Sequence, residues 1–279
     1  MNRPHVSGSG LIDRFVESPL AGLAPWIVMS LFNGPGRFEE AVAAALGIAL
    51  LVFVAARRHG TSVKLLELFD LAFFGTLAVI GILATPGAIE WLELWAGEVS
   101  NIALALFALG SLLARVPFTL QYAREQTPRE YWVSPLFLRV NYAITGVWAA
   151  SFGLNALLGF LADGVQHDPD NFWTGWVVQL GTTLFAIAFT EWYPEYAPNR
   201  AAQEAGEPTE PPRPVARLLD WFPPYLIGVG VAGLITDGTS AAVGIGLIVA
   251  GIAGGAVLRR VAPAARTGSH SGRGARPLS

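Results

Sequence analysis

Blocks of apolar residues separated by short polar segments run the length of the chain. Eight blocks stand out, at residues 19–32, 41–56, 68–84, 99–114, 140–161, 172–189, 222–236 and 241–258. A helix needs about 20 apolar residues to cross roughly 30 Å of hydrocarbon. The blocks lack the period-2 alternation of barrel strands, and only helices and closed barrels satisfy every backbone polar group in lipid. The pattern predicts an all-α, polytopic membrane protein of eight transmembrane helices. The first block is short and holds Pro19 and Pro25, so a re-entrant or interfacial segment is its alternative. It does not read as a signal peptide, because Asn33-Gly34-Pro35-Gly36 follows it in place of a small-x-small cleavage site.

Composition sharpens the picture. Of 279 residues, 53% are hydrophobic and 14% charged, against about 25% charged in soluble domains. That excludes a disordered chain and argues against a soluble enzyme. There is no cysteine, hence no disulfide or thiolate chemistry. A net charge of −3 gives no case for nucleic acid as a partner.

Charge placement orients the spans. Cytoplasmic loops are enriched in Lys and Arg. With the N-terminus inside, 17 of the 18 basic residues fall on the inner side, and Arg37 alone falls outside. Both termini are therefore expected in the cytoplasm, with the arginines facing anionic lipid headgroups. Trp91, Trp95, Trp132, Trp173, Trp176, Trp192 and Trp221 lie near span ends, as amphipathic rings do. The use of Arg over Lys, with much Ala and Gly, resembles a GC-rich bacterial genome and so a bacterial plasma membrane.

The chain divides into a cytoplasmic arm (1–18), a six-span bundle (19–196) with a cytoplasmic amphipathic segment (115–139), a Pro- and Glu-rich flexible linker (197–220), a two-span hairpin (221–260) and a basic, disordered tail (261–279). In the hairpin, Gly246, Ala250 and Gly254 recur at four-residue spacing, and Gly251 and Gly255 likewise, with Gly228 and Ala232 offering a partner on the preceding span. Small residues so spaced let helices approach closely. Packing within the hairpin is the expectation, and self-association into a homo-oligomer its alternative. The two ends of the chain also echo each other: Pro25-Trp26 and Pro224-Tyr225 open hairpins that end at Arg57-Arg58 and Arg259-Arg260.

The densest polar stretch is residues 115–141. Phe118, Tyr122 and Glu125 share one helical face, with Gln121 beside them. Arg115, Arg124, Glu125, Arg129 and Arg139 are candidate headgroup or anion contacts, with Glu125 or Glu130 as a base. The competing reading is an interfacial helix whose arginines snorkel while Tyr122, Tyr131 and Trp132 anchor it. Inside the spans, Asp70 and Glu191 read as lying near cytoplasmic ends, and the remaining polar groups are neutral: Asn141, Thr145, Ser151, Asn155, Gln179, Thr182 and Thr183. Interhelical hydrogen bonding is the expected role of that stripe. The lack of deep acids argues against an ion-coupled transporter. His167, Asp168 and Asp170 with Asp163, and Glu90, Glu93 and Glu98, read as solvated outer loops rather than metal sites. No nucleotide, dinucleotide, zincin or hydrolase motif is present, so neither a cofactor nor a catalytic residue is expected.

The stretch from Pro25 to Gln126 resembles the small multipass inner-membrane proteins related to the intracellular septation protein A family. It has a Pro-led first span (LAPWIVMSLF), a Gly-containing turn, a long Ala/Leu span ending in Arg, a polar loop, two further spans and RVPF. The resemblance implies a bacterial inner-membrane protein linked to envelope maintenance, and it brings no catalytic residue. The expected function is an envelope-associated or scaffold component, with a membrane enzyme or transporter for a lipid-like or small apolar substrate as the alternative.

Overall fold

The computed structural model describes residues 19–167 and 171–261. The arm at 1–18, Asp168, Asp170 and most of the basic tail lie outside the described residues. Nine α-helices follow in order among them: α1 Pro19–Phe32, α2 Phe38–Arg58, α3 Leu65–Leu83, α4 Pro86–Leu113, α5 Phe118–Gln126, α6 Pro135–Phe160, α7 Val178–Glu204, α8 Phe222–Ile235 and α9 Ala241–Val261. No strand occurs among the described residues. Seven helical stretches are long and apolar enough to cross a bilayer; α1, the shortest apolar one, is not. The protein is thus an all-α polytopic membrane protein.

Local chemistry sets the helix ends. α2 opens with Glu39 and Glu40 and closes with Arg57 and Arg58, matching charge to the helix dipole at both ends. Pro86 starts α4 and Pro135 starts α6, where a missing N–H costs nothing. The Ser134 hydroxyl caps α6 by accepting from the Phe137 N–H at 3.1 Å.

Two boundaries move. α4 begins 13 residues before the predicted block, so Glu90, Glu93 and Glu98 are helical and do not form a loop. α7 runs through Pro194 and Pro198 to Glu204, turning the first residues of the expected linker into helix. The chain forms two compact units, divided between Pro212 and Arg213. The first holds α1 to α7; α1 packs on α2, α2 on α3, α4 on α6 and α6 on α7. Its core joins Trp26, Phe38, Phe74, Phe118, Tyr122, Trp148 and Phe152 to the small residues Ala41, Ala45 and Ala108. The second unit holds a 3-10 turn at Val215–Leu219 and the α8–α9 hairpin.

In that hairpin the close approach is not made by the predicted stripe. Gly246 has open space around it, Ala250 is exposed, and Gly254 makes an ordinary contact with Pro223. The helices meet instead at Gly230, Gly244 and Gly251. Gly251 lies about 60° around the helix from Gly254, and four-residue spacing alone cannot say which glycine stripe faces the partner.

Candidate functional site

α2 ends at Arg57 and Arg58, and a short connection turns back through Gly60, whose φ of +74° favours glycine. Lys64 closes that connection at the start of α3. It is the single lysine of the chain, and it is fully buried. Its Nζ lies 3.1 Å from Glu125 Oε2 and 3.7 Å from Glu67 Oε1, and 5.1 Å above the Tyr122 ring. Burying an ammonium is tolerable only with such partners. Arg57 Nη2 reaches Glu67 Oε2 at 3.2 Å and also donates to the Ser62 carbonyl. The Ser62 N–H and hydroxyl donate to Glu125 Oε1 at 3.0 and 2.8 Å, and the Leu65 N–H donates to Gln121 Oε1 at 2.7 Å. One face of α5 is thereby stitched to the α2–α3 connection.

The cluster continues into the span. Asp70, one turn beyond Glu67, is 2% exposed, and its Oδ1 accepts a 2.7 Å hydrogen bond from Trp26 Nε1. The Trp26 ring sits among Phe69, Phe73 and Phe74, which fixes the donor. Tyr122 is 3% exposed and its hydroxyl has no hydrogen-bond partner. A Cβ at Gly22 would come within 2.7 Å of that hydroxyl, so a larger residue there would have to displace the Tyr122 and Leu66 side chains.

Burial pulls the Glu125 carboxyl up, but the hydrogen bonds and charge of Lys64 and the Ser62 donors outweigh it and hold the group below its ordinary 4.5. Burial, then the Asp70, Glu67 and Glu125 carboxyls, push the Tyr122 phenol well above 10 and keep it neutral. The lowered Glu125 value has a consequence for stability. A carboxyl titrating lower in the folded than in the unfolded chain stabilises the fold above the unfolded value. That contribution is lost as pH falls through the folded value, below 4.5. Thermal unfolding followed from neutral pH down to about 3 should show the parent losing this increment, while Glu125→Gln lacks it throughout. Parallel curves for the two would refute the coupling.

The structure separates the predicted anion set. Glu125 turns to Lys64. Arg124 and Arg129 instead stack on one ring, with guanidinium carbons 5.4 and 5.7 Å from the Trp132 centroid, and the indole N–H donates to the Thr127 carbonyl. Arg115 is exposed at the end of α4 with φ +60°, and Arg139 is exposed on α6. Lys64, Glu67, Asp70 and Trp26 were not among the sequence candidates. The signal for them was a lone lysine in an arginine-rich chain, followed by acids three and six residues later.

The expectation that the spans hold no buried acids is corrected. Asp70 keeps its expected place near the start of α3, and it is buried there. Glu98, on α4, is 7% exposed, hydrogen-bonds Asp163, and fills the space left by Gly159 on α6. Trp26 bonds the buried Asp70, and Gly159 leaves room for the buried Glu98. The argument against ion coupling therefore loses its premise. The neutral stripe on α6 does bond between helices: Thr145 with Thr119 at 2.8 Å, Trp148 with Thr190 at 3.0 Å, and Asn155 with Thr183 at 3.4 Å.

Fold and cluster together define a multipass α-helical membrane protein with ionisable side chains buried in its first unit. Comparison with protein-family models, curated proteins and solved structures finds no match to this chain.

Proposed function

We propose that this is a bacterial plasma-membrane scaffold protein of the cell envelope, with both termini in the cytoplasm and its inner face resting on anionic lipid. The 17-to-1 division of basic residues, which takes the short α1 as an eighth crossing, supports the orientation. The resemblance of residues 25–126 to the septation protein A relatives supports the envelope role. The observation that carries the lipid contact is the Arg124–Trp132–Arg129 stack. Two guanidiniums share one indole without an acidic partner among the described residues, and the Arg124 Nε–H is buried with no acceptor. A phosphate held by both would supply it.

A second reading, a transporter or enzyme for a lipid-like or small apolar substrate, is favoured by the buried Asp70 and Glu98 carboxyls.

The scaffold reading is tested by lipid retention. Full-length protein in nanodiscs of mixed phosphatidylglycerol and phosphatidylcholine should keep bound phosphatidylglycerol. Arg124→Gln with Arg129→Gln should weaken that retention roughly 30-fold, from about 1 kcal/mol per arginine. Arg200→Gln is the control, because Arg200 is already paired with Glu204 at 2.7 Å. Equal retention by both variants would remove the lipid contact.

A further inference from the structure

The charges at the inner end of the first unit do not balance. Arg57 and Lys64 bring two positive charges, while Glu67, Glu125 and Asp70 bring three carboxyls. Both cations are engaged by the two glutamates. Asp70 faces Trp26 from α1, which is a neutral donor, while Tyr122 of α5 lies within electrostatic reach of it and makes no hydrogen bond to it. The charged side chain acting on it is Glu67 of its own helix, an anion. An ionised carboxylate at 2% exposure, with one neutral donor and a like charge beside it, is the costliest state that site could hold. A neutral carboxyl costs far less, and its carbonyl oxygen still accepts from Trp26.

Tyr122 supplies an independent observation. Its hydroxyl is buried and unpartnered, and it is acted on by Asp70, Glu67 and Glu125 together. Such an orphan leaves a hydroxyl proton uncommitted beside three carboxyls.

We propose that Asp70 is the proton-binding residue of an exchangeable site at the inner end of the first unit, with the Tyr122 hydroxyl positioned to pass protons between Asp70 and the inner surface. The ligand is a proton. A small monovalent cation is the other way to neutralise the surplus carboxylate, and the experiment separates the two. The inference goes beyond the scaffold reading and does not need it. An anchored scaffold with a loaded Asp70 and a proton-linked carrier both satisfy it.

The test is infrared spectroscopy of the full-length protein in lipid nanodiscs at neutral pH, read as parent minus D70N. Asparagine keeps the shape and the acceptor for Trp26, so D70N should fold and melt close to the parent. D70E provides a second variant that should move the band and keep it. The expected result is a protonated-carboxyl C=O band in the parent, absent from D70N, unchanged by sodium, and shifted down on transfer to D2O. Y122F should keep the band and slow its deuterium shift several-fold. Glu98→Gln should leave it untouched, since Glu98 belongs to a different carboxyl pair. Three results would overturn the proposal: no band at Asp70, a band that appears only when sodium is withdrawn, or a band that never shifts in D2O. The first means an ionised aspartate, the second a cation site, and the third a sealed structural proton. An unchanged deuterium rate in Y122F would remove Tyr122 from the path.

Discussion

Lys64→Met should strongly destabilise the first unit. Lys64 is fully buried, and its ammonium lies within 4 Å of two carboxylates. Methionine matches its length and keeps apolar contact with the Tyr122 ring, so the loss is mainly electrostatic. Removing one member of a buried ion pair typically costs about 3–5 kcal/mol, because the partner's charge stays buried without compensation. Glu67 retains Arg57 at 3.2 Å, whereas Glu125 retains only Ser62. The damage should therefore centre on α5. Full-length protein in detergent should melt earlier, and limited proteolysis should open the segment between α4 and α6. Adding Glu125→Gln should recover part of the loss by removing the stranded charge. Arg58→Gln, at an exposed neighbouring position, is the control. A Lys64→Met protein that melts with the parent would show that the ion cluster does not hold α5.

Gly251→Leu should have the largest effect in the second unit. A Cβ at Gly251 would sit 2.6 Å from the Pro223 carbonyl oxygen and 2.7 Å from Ile227 Cγ1. The carbonyl is backbone, so relief requires the helices themselves to part. The seam is reciprocal, since a Cβ on Gly230 would meet the Gly244 carbonyl at 2.6 Å. In lipid, no hydrophobic driving force pulls α8 and α9 together, and close packing carries the association. Overpacking of this kind typically costs about 1–3 kcal/mol, and a leucine adds branched atoms beyond the Cβ. The measurement is the melting temperature in detergent. Gly246→Leu, with nothing within 4 Å, should be silent, and Gly254→Leu, 3.8 Å from Pro223, should be mild. If Gly246→Leu proved the more harmful, that face would be packing against another copy.

The seven spans and the shorter apolar α1 were legible in the sequence because filling a bilayer with apolar helix is a local requirement. Hydropathy sums over about 20 residues and is indifferent to what each residue faces. That is why 19–32 and 222–236 match α1 and α8 to within a residue. The start of α4 was missed because Glu90, Glu93 and Glu98 lower the local hydropathy, although a helix accepts them readily. The end of α7 was missed because Pro194 and Pro198 read as helix breakers. Likewise the face shared by Tyr122, Gln121 and Glu125 followed from helical spacing alone. What that face meets did not. Ser62 and Glu125 are 63 residues apart, and Trp26 and Asp70 are 44 apart. No window spans such separations, and which acid finds a cation, an indole or only another acid depends on how three helices and a short connection pack. The sequence determined that this chain is built of helices apolar enough to fill a bilayer. Only the tertiary structure decided where its ionisable groups are buried, because burial of a charge is tolerable solely where distant residues converge to neutralise or bond it.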